Sequence, residues 1–365
     1  MGSYGYGNLG DDLLLLTLLK ALEKFRVSVL VRDKSRTPKP ITNEKMKLVD
    51  SGFRRDNRDK ILAFARAEIV IIGGGTLITD DVKTLLKILG LAFSSKLLGK
   101  KVALCAIGVG LLRNQLQRSL ARLIVSSSSL VIARGTRSHD ILNSLFRGTP
   151  TIPIILRPDP VFVLPGTYKH GSNGSKQKYA SLCLRHSEEW TGGFPALMAQ
   201  VCDRIIEKYG FDILLVPNSF SSEKTEWVSD LRASELVLMH MCFRGRATIL
   251  TGHNPCEAVV ALQRSSLVLG MTYHSLVIGQ SSAIPTVAIQ RNETDIKIRE
   301  LMSDVKRLSY FFASPSEVTI ETLLECIEQA LFYEPPELTK MSSLMREDAR
   351  LGLQNIHDFC EDSQP

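Results

Sequence analysis

Ile69-Val-Ile-Ile-Gly73-Gly74-Gly75-Thr76-Leu-Ile78 is an apolar run that passes straight into three glycines. Its first four residues are β-branched and apolar at consecutive rather than alternate positions, which suits a strand covered on both faces. Ligands of such sheets bind outside the carboxyl ends of the strands. Three glycines at that end carry an entropic cost that an ordinary turn has no need of. The stretch therefore predicts a helix-covered parallel sheet with a binding loop at Gly73, Gly74 and Gly75.

The same kind of run recurs on either side. Val27–Val31, Val102–Ile107 and Leu130–Ala133 accompany it in the first half. Tyr179–Leu184, Ile213–Val216, Ala247–Leu250, Leu267–Leu269 and Thr286–Ile289 follow in the second. Helical patterns fall between them, near 11–25, 58–66, 82–98, 114–127, 137–146, 194–209, 223–242, 256–264, 274–282 and 317–332. Repeated strand–helix alternation implies parallel sheets with right-handed crossovers. A chain of 365 residues exceeds what one core usually supports, so two domains are expected. The polar, glycine-rich and serine-rich stretch at 166–178 reads as the linker between a domain at 1–165 and another at 179–334, with a helical tail at 335–365 able to pack back on the first half.

Composition excludes several classes. Hydrophobic residues make up 44% and charged residues 23%, close to globular averages. Lys and Arg number 45 against 38 Asp and Glu, a net charge of +7 that suits anionic substrates and allows peripheral contact with a membrane surface. The basic residues are scattered, with no arginine-rich run, so nucleic acid is not an expected partner. Seven cysteines at irregular spacing, without a Cys-x-x-Cys pair, argue against a disulfide framework and against structural zinc. His240 and Cys242 lack two further ligands, and no metal or cofactor is expected. No signal-peptide pattern or membrane span is evident, which points to the cytoplasm.

Several loops present polar or flexible residues where such a sheet binds ligands. Gly5-Tyr-Gly7-Asn8-Leu-Gly10-Asp11-Asp12 opens a helix, with glycines that let backbone approach an anion and a helix N-terminus behind them. Asp11 and Asp12 fit a capping role equally well. Only four residues precede this loop, so either a strand is missing ahead of it or the sheet lacks one there. Arg134 and Ser138 follow a strand, as does Arg185, with His186 beside it. Arginine at a strand end can grip an anion through two N–H groups. Gly108-Val-Gly110 repeats the glycine theme, Asp159 lies between prolines, and Lys297 stands at a helix start. In Leu267-Val-Leu-Gly-Met-Thr272-Tyr-His274-Ser-Leu, a strand gives way to a helix near His274, and an imidazole there suits proton transfer near neutral pH.

Taken together and in order over about residues 4–305, these segments resemble the polysaccharide pyruvyl transferase family: Gly5-Tyr-Gly-Asn-Leu-Gly-Asp11, Ile72-Gly-Gly-Gly-Thr-Leu77, Gly108-Val-Gly110, Arg134-x-x-x-Ser138, Asp159-Pro-Val-Phe162, Leu184-Arg185, Gly270-Met-x-Tyr-His274-Ser-Leu276, Ile284-Pro285 and Lys297. The resemblance implies two Rossmann-like doubly wound α/β domains facing across a cleft, similar to GT-B glycosyltransferases. It also implies transfer of a pyruvyl group from phosphoenolpyruvate to a glycan or lipid-linked sugar, giving a pyruvate ketal and phosphate. In that scheme His274 is the acid/base residue, Arg185 and Lys297 bind the donor's anions, and Gly7, Asn8, Asp11, Gly73, Gly74, Gly75, Arg134 and Ser138 bind substrate. Two positions differ from the family pattern: Thr272 stands where arginine is usual, and Gly135 where aspartate often follows Arg134. A nucleotide-sugar glycosyltransferase, with Glu257 as the only candidate for ribose binding, and a non-catalytic glycan-binding relative are the alternatives.

Overall fold

The computed structural model describes residues 2, 4–37, 45–50, 58–150, 152–166, 178–186, 193–219, 230–252, 254–292, 294–332 and 335–363. The stretch expected as a linker lies, at 167–177, outside the described residues. Every strand pair among the described residues is parallel. The chain divides into two units: Met1–Tyr6, Asp11–Pro160 and Glu347–Pro365 form one, and Gly7–Gly10 with Val161–Arg346 the other.

The first unit contains most of α1 (Leu9–Ala21), then β1 (Val27–Val31), β2 (Met46–Asp50), α2 (Arg58–Arg66), β3 (Ile69–Ile78), α3 (Val82–Leu97), β4 (Lys101–Val109), α4 (Gln115–Ser126), β5 (Leu130–Arg134), α5 (Thr136–Ser144) and β6 (Ile154–Arg157). Strands β3-β4-β5-β6 form one sheet in that order, and β1 pairs with β2 separately. One face of the larger sheet is covered by α3, α4 and α5 through Leu85, Ile88, Leu120, Ile124 and Leu142. On the other face, Leu18 and Leu22 of α1 share a cluster with Ala103, Cys105, Ile132, Ile356 and Cys360. Helix α1 is buried without a break from Asp12 to Leu19, and its leucines occupy every side of that stretch; Leu15 and Leu19 pack on Tyr4 and on Val29 and Val31 of the two-stranded ribbon.

The second unit runs β7 (Tyr179–Cys183), α6 (Phe194–Tyr209), β8 (Asp212–Leu215), α7 (Asp230–His240), β9 (Ala247–Ile249), α8 (Pro255–Gln263), β10 (Leu267–Gly270), α9 (Tyr273–Ser281), β11 (Thr286–Ile289), α10 (Lys297–Asp304), β12 (Phe311–Phe312), α11 (Ile320–Phe332) and the start of α12 (Pro335–Glu361). Its sheet order is β12-β11-β10-β7-β8-β9. The chain thus starts in the middle at β7, winds outward through β8 and β9, and returns to wind the other way from β10. The switch point is the β7/β10 pair, with Gly270 opposite Cys183. Helix α9 is buried at every position from His274 to Ser281.

Candidate functional site

A topological switch point opens a crevice because the connections leaving two neighbouring strands go to opposite faces of the sheet. In the second unit those connections are Leu184-Arg185-His186 after β7 and Met271-Thr272 after β10. Met271 N–H donates to Cys183 O at 2.8 Å, which ties the two strand ends together. His274 sits in the first turn of α9 and is 8% exposed. Its imidazole lies against Gly10: a Cβ at position 10 would fall 1.8 Å from His274 Nδ1. The 7–10 segment is docked there by backbone. Leu9 N–H donates to Asn218 O at 2.8 Å, Asn8 bridges Ser219, and Gly10 N–H donates to Asn8 Oδ1 at 3.0 Å.

Beneath the histidine runs a chain of hydroxyls. Thr272 Oγ1 donates to Ser275 Oγ at 2.8 Å, and Ser275 Oγ donates to Asn218 Oδ1 at 3.2 Å. Thr272 is buried, and its side chain is committed to this relay. Cys183 also borders Ser275, but burial pushes its thiol up to about 12, so it is no thiolate nucleophile near neutral pH.

The residue that sequence reasoning missed is Asp230, at the start of α7. It is buried, and its carboxylate accepts the backbone N–H of His186 at 3.4 Å together with those of Asn218 and Ser219. Burial pushes its pKa up to about 6, against the opposing pull of Arg185 and of those N–H donors. One carboxylate thereby fastens the loops after β7 and β8, the same loops that carry Arg185 and Asn218. No local pattern marks this aspartate, because its partners lie more than ten residues away in sequence. Asn218 and Ser275 were more accessible to inference: one follows a strand end, and the other adjoins His274.

Lys297 opens α10, beyond β11, and its Nζ lies 3.4 Å from Asp295 Oδ1. Glu257 stands in the first turn of α8, where Oε1 accepts from Asn254 Nδ2 at 2.8 Å.

The remaining candidates belong to the first unit. Strand β3 continues through the glycine run, with Gly74 at φ 83° and Gly75 at φ 101°, values a side chain would oppose. The Tyr4 hydroxyl donates to Gly73 O at 2.8 Å. Burial, reinforced by Asp11 and Asp12, raises its pKa far above the ordinary phenol value, so it remains a neutral donor. Asp11 lies beside the run, with Oδ1 3.4 Å from where a Cβ on Gly75 would be. Arg134 NH1 donates to Asp159 Oδ2 at 2.7 Å, and both side chains are buried. Arg134 also reaches Thr76 Oγ1 at 3.4 Å. Ser138 Oγ accepts from Val109 N–H at 3.1 Å, and Arg137 donates to Val109 O at 3.0 Å. These contacts hold the Gly108–Gly110 turn.

A family model described as polysaccharide pyruvyl transferase matches residues 8–293. The chain belongs to the polysaccharide pyruvyl transferase family. That span includes every candidate named above except Gly7, Tyr4 and Lys297. No curated protein matches the chain. Among solved structures, this family member is similar to a putative UDP-N-acetylglucosamine 2-epimerase from Listeria monocytogenes, with TM-score 0.63, 12% identity and coverage of 100% of this chain and 96% of that one. It is similar also to UDP-GlcNAc 2-epimerase from Neisseria meningitidis bound to UDP-GlcNAc, with TM-score 0.61, 11% identity and 97% coverage of both chains. TcCGT1 in complex with UDP gives TM-score 0.59, 10% identity and coverage of 100% and 98%. At such identities the likeness establishes the fold, two Rossmann-like α/β domains of the GT-B type. Seven cysteines are all free, and no helix among the described residues is long and apolar enough to cross a membrane.

Proposed function

We propose that this transferase moves the pyruvyl group of phosphoenolpyruvate onto two hydroxyls of a sugar in a polysaccharide or its precursor, giving a pyruvate ketal and phosphate. The observation that carries the reading is the seating of His274 at the switch point of the second unit, inside the span matched by the family. In the reaction the π bond of the donor's C=C is consumed as its methylene carbon takes a proton and becomes a methyl group. One sugar hydroxyl adds to the resulting cationic carbon, phosphate leaves, and a second hydroxyl closes the ketal. Of the two hydroxyl protons released, one balances the new methyl group and the other leaves with phosphate. His274 gives and takes these protons.

Arg185, at the end of β7, offers the donor's carboxylate and phosphate a planar pair of N–H groups, and Lys297 a point charge. Asp230 is a positioning residue that holds the backbone just after Arg185 and the neighbouring loop after β8. Gly7, Asn8, Asp11 and the Gly73–Gly75 run are proposed contacts of the sugar. Arg134 and Ser138 fit a supporting role, because their side chains already engage Asp159 and Val109. The proposed setting is cell-envelope or exopolysaccharide synthesis on the cytoplasmic side.

The second reading is a glycosyltransferase using a nucleotide sugar, favoured by the UDP and UDP-GlcNAc bound in two of the similar structures. One experiment separates the two: incubation with phosphoenolpyruvate and candidate sugars, following phosphate release, alongside thermal shifts with phosphoenolpyruvate and with UDP-sugars. Phosphate release that His274→Ala reduces by about 10²–10⁴-fold is the expected result. A shift with UDP-sugars alone, and no release with any sugar, would replace the first reading with the second.

A further inference from the structure

Helices α3 and α4 lie side by side on one face of the first unit's sheet, with Leu85, Ile88, Leu120 and Ile124 turned into the core. Their outward sides are unusual for a water-facing surface. Leu86, Phe93 and Leu97 recur at spacings of seven and four along α3, and Leu116 and Leu123 at a spacing of seven along α4. All five are 52–72% exposed. Residues at these spacings share one face of a helix. Neither helix contains a single Asp or Glu, while Lys83, Lys87, Lys96, Arg118 and Arg122 lie along them. Acids flank the N-terminal end of α3, where Asp81 caps Lys83 N–H and Asp80 pairs with Arg113.

We infer that this outward face of α3 and α4 is a docking surface for an anionic lipid membrane. Two properties select that occupant. Exposed leucine and phenylalanine flanked by lysine and arginine can bury apolar side chains at the headgroup boundary while the cations meet lipid phosphates. A second copy of this chain is a poorer complement, because a two-fold interface would set the same acid-free, basic face against itself. Docking here brings the enzyme to the surface on which a lipid-linked sugar is presented. The inference is independent of the pyruvyl reaction, since it concerns partitioning rather than turnover.

The test is sedimentation of the full chain with vesicles of phosphatidylcholine alone or phosphatidylcholine containing phosphatidylglycerol. Binding is expected on the anionic vesicles and is expected to weaken as salt is raised. The triple variant Leu86→Ser, Phe93→Ser, Leu97→Ser and the separate triple variant Lys83→Glu, Lys87→Glu, Lys96→Glu should each weaken it by at least about tenfold. Melting temperatures near the parent's establish that both variants are folded. No binding by the parent, equal binding to both vesicle types, or binding untouched by both variants overturns the proposal. So does a dimer in solution that the apolar variant dissolves, which would assign the face to a second copy.

Discussion

The imidazole of His274 rests on the Cα of Gly10, leaving no room at that position for even one methyl group. The two residues are 264 positions apart in the chain, so the placement of the histidine depends on a loop at the opposite end of the sequence. Gly10→Ala must displace either the imidazole or the 7–10 segment bound to Asn218 and Ser219. Turnover is expected to fall by about 10²-fold, the usual consequence of an ångström-scale misplacement of a reacting group. Phosphate release from phosphoenolpyruvate measures it. A variant as active as the parent would show that the contact does not position His274.

Asp230 ties stability to pH. Its pKa is raised in the folded chain to about 6 from 3.8. A raised carboxylate pKa favours folding when the group is protonated, and that advantage disappears as pH rises through the folded value. Relative to Asp230→Asn, the parent should therefore lose stability between about pH 4 and pH 6 and change little above pH 7, by an amount on the order of 3 kcal/mol. Urea unfolding of both proteins across that range is the measurement. A constant difference would remove Asp230 as the titrating group.

Arg134 and Asp159 form a buried ion pair. Removing one partner strands the other charge away from water, at a cost of about 3–5 kcal/mol. Arg134→Met and Asp159→Leu should each be destabilising by that order, and the double variant by much less than their sum. A double-mutant cycle from denaturant midpoints gives the coupling. Additive losses would mean that the pair is not coupled in solution.

Thr272 donates into the Ser275–Asn218 relay rather than toward an open site. Thr272→Val leaves the buried Ser275 hydroxyl without its donor and is expected to cost about 1–2 kcal/mol, whereas Thr272→Ser keeps the bond and costs less. Thermal denaturation distinguishes the two. A larger loss for Thr272→Ser than for Thr272→Val would point to the lost methyl group instead of the hydrogen bond.

Much of this arrangement was legible in the sequence. Runs of consecutive apolar residues located most of the strands, because a strand buried on both faces leaves little room for polar residues. Strands β2, β6 and β12 escaped for local reasons: Met46–Asp50 carries Lys47 and Asp50, Ile154–Arg157 is pressed between prolines, and Phe311–Phe312 has only two residues. The strand-end rule singled out Arg185 and His274 as candidates, and the fold sets the ends of β7 and β10 beside each other. What could not be read were distant pairings. Nothing in Gly5-x-Gly7-x-x-Gly10 announces that its last glycine receives a histidine, and nothing in Ser229-Asp230-Leu231 indicates a carboxylate gathering three amides from other loops.

The final stretch of α12 has a kinetic implication. Ile356 and Cys360 complete the cluster around Ala103, Cys105 and Ile132 in the first unit. During synthesis that face of the β4/β5 sheet emerges after α1 but more than 200 residues before Ile356 and Cys360. Multidomain chains generally fold in order from the N-terminus as they leave the ribosome, but here the core of the first unit is complete only once Ile356 and Cys360 have been made. Part of that apolar face waits for its remaining cover through the making of the second unit, and exposed strands of this kind are prone to aggregate. Chains released before Glu347 carry an unfinished first core however well their second unit folds.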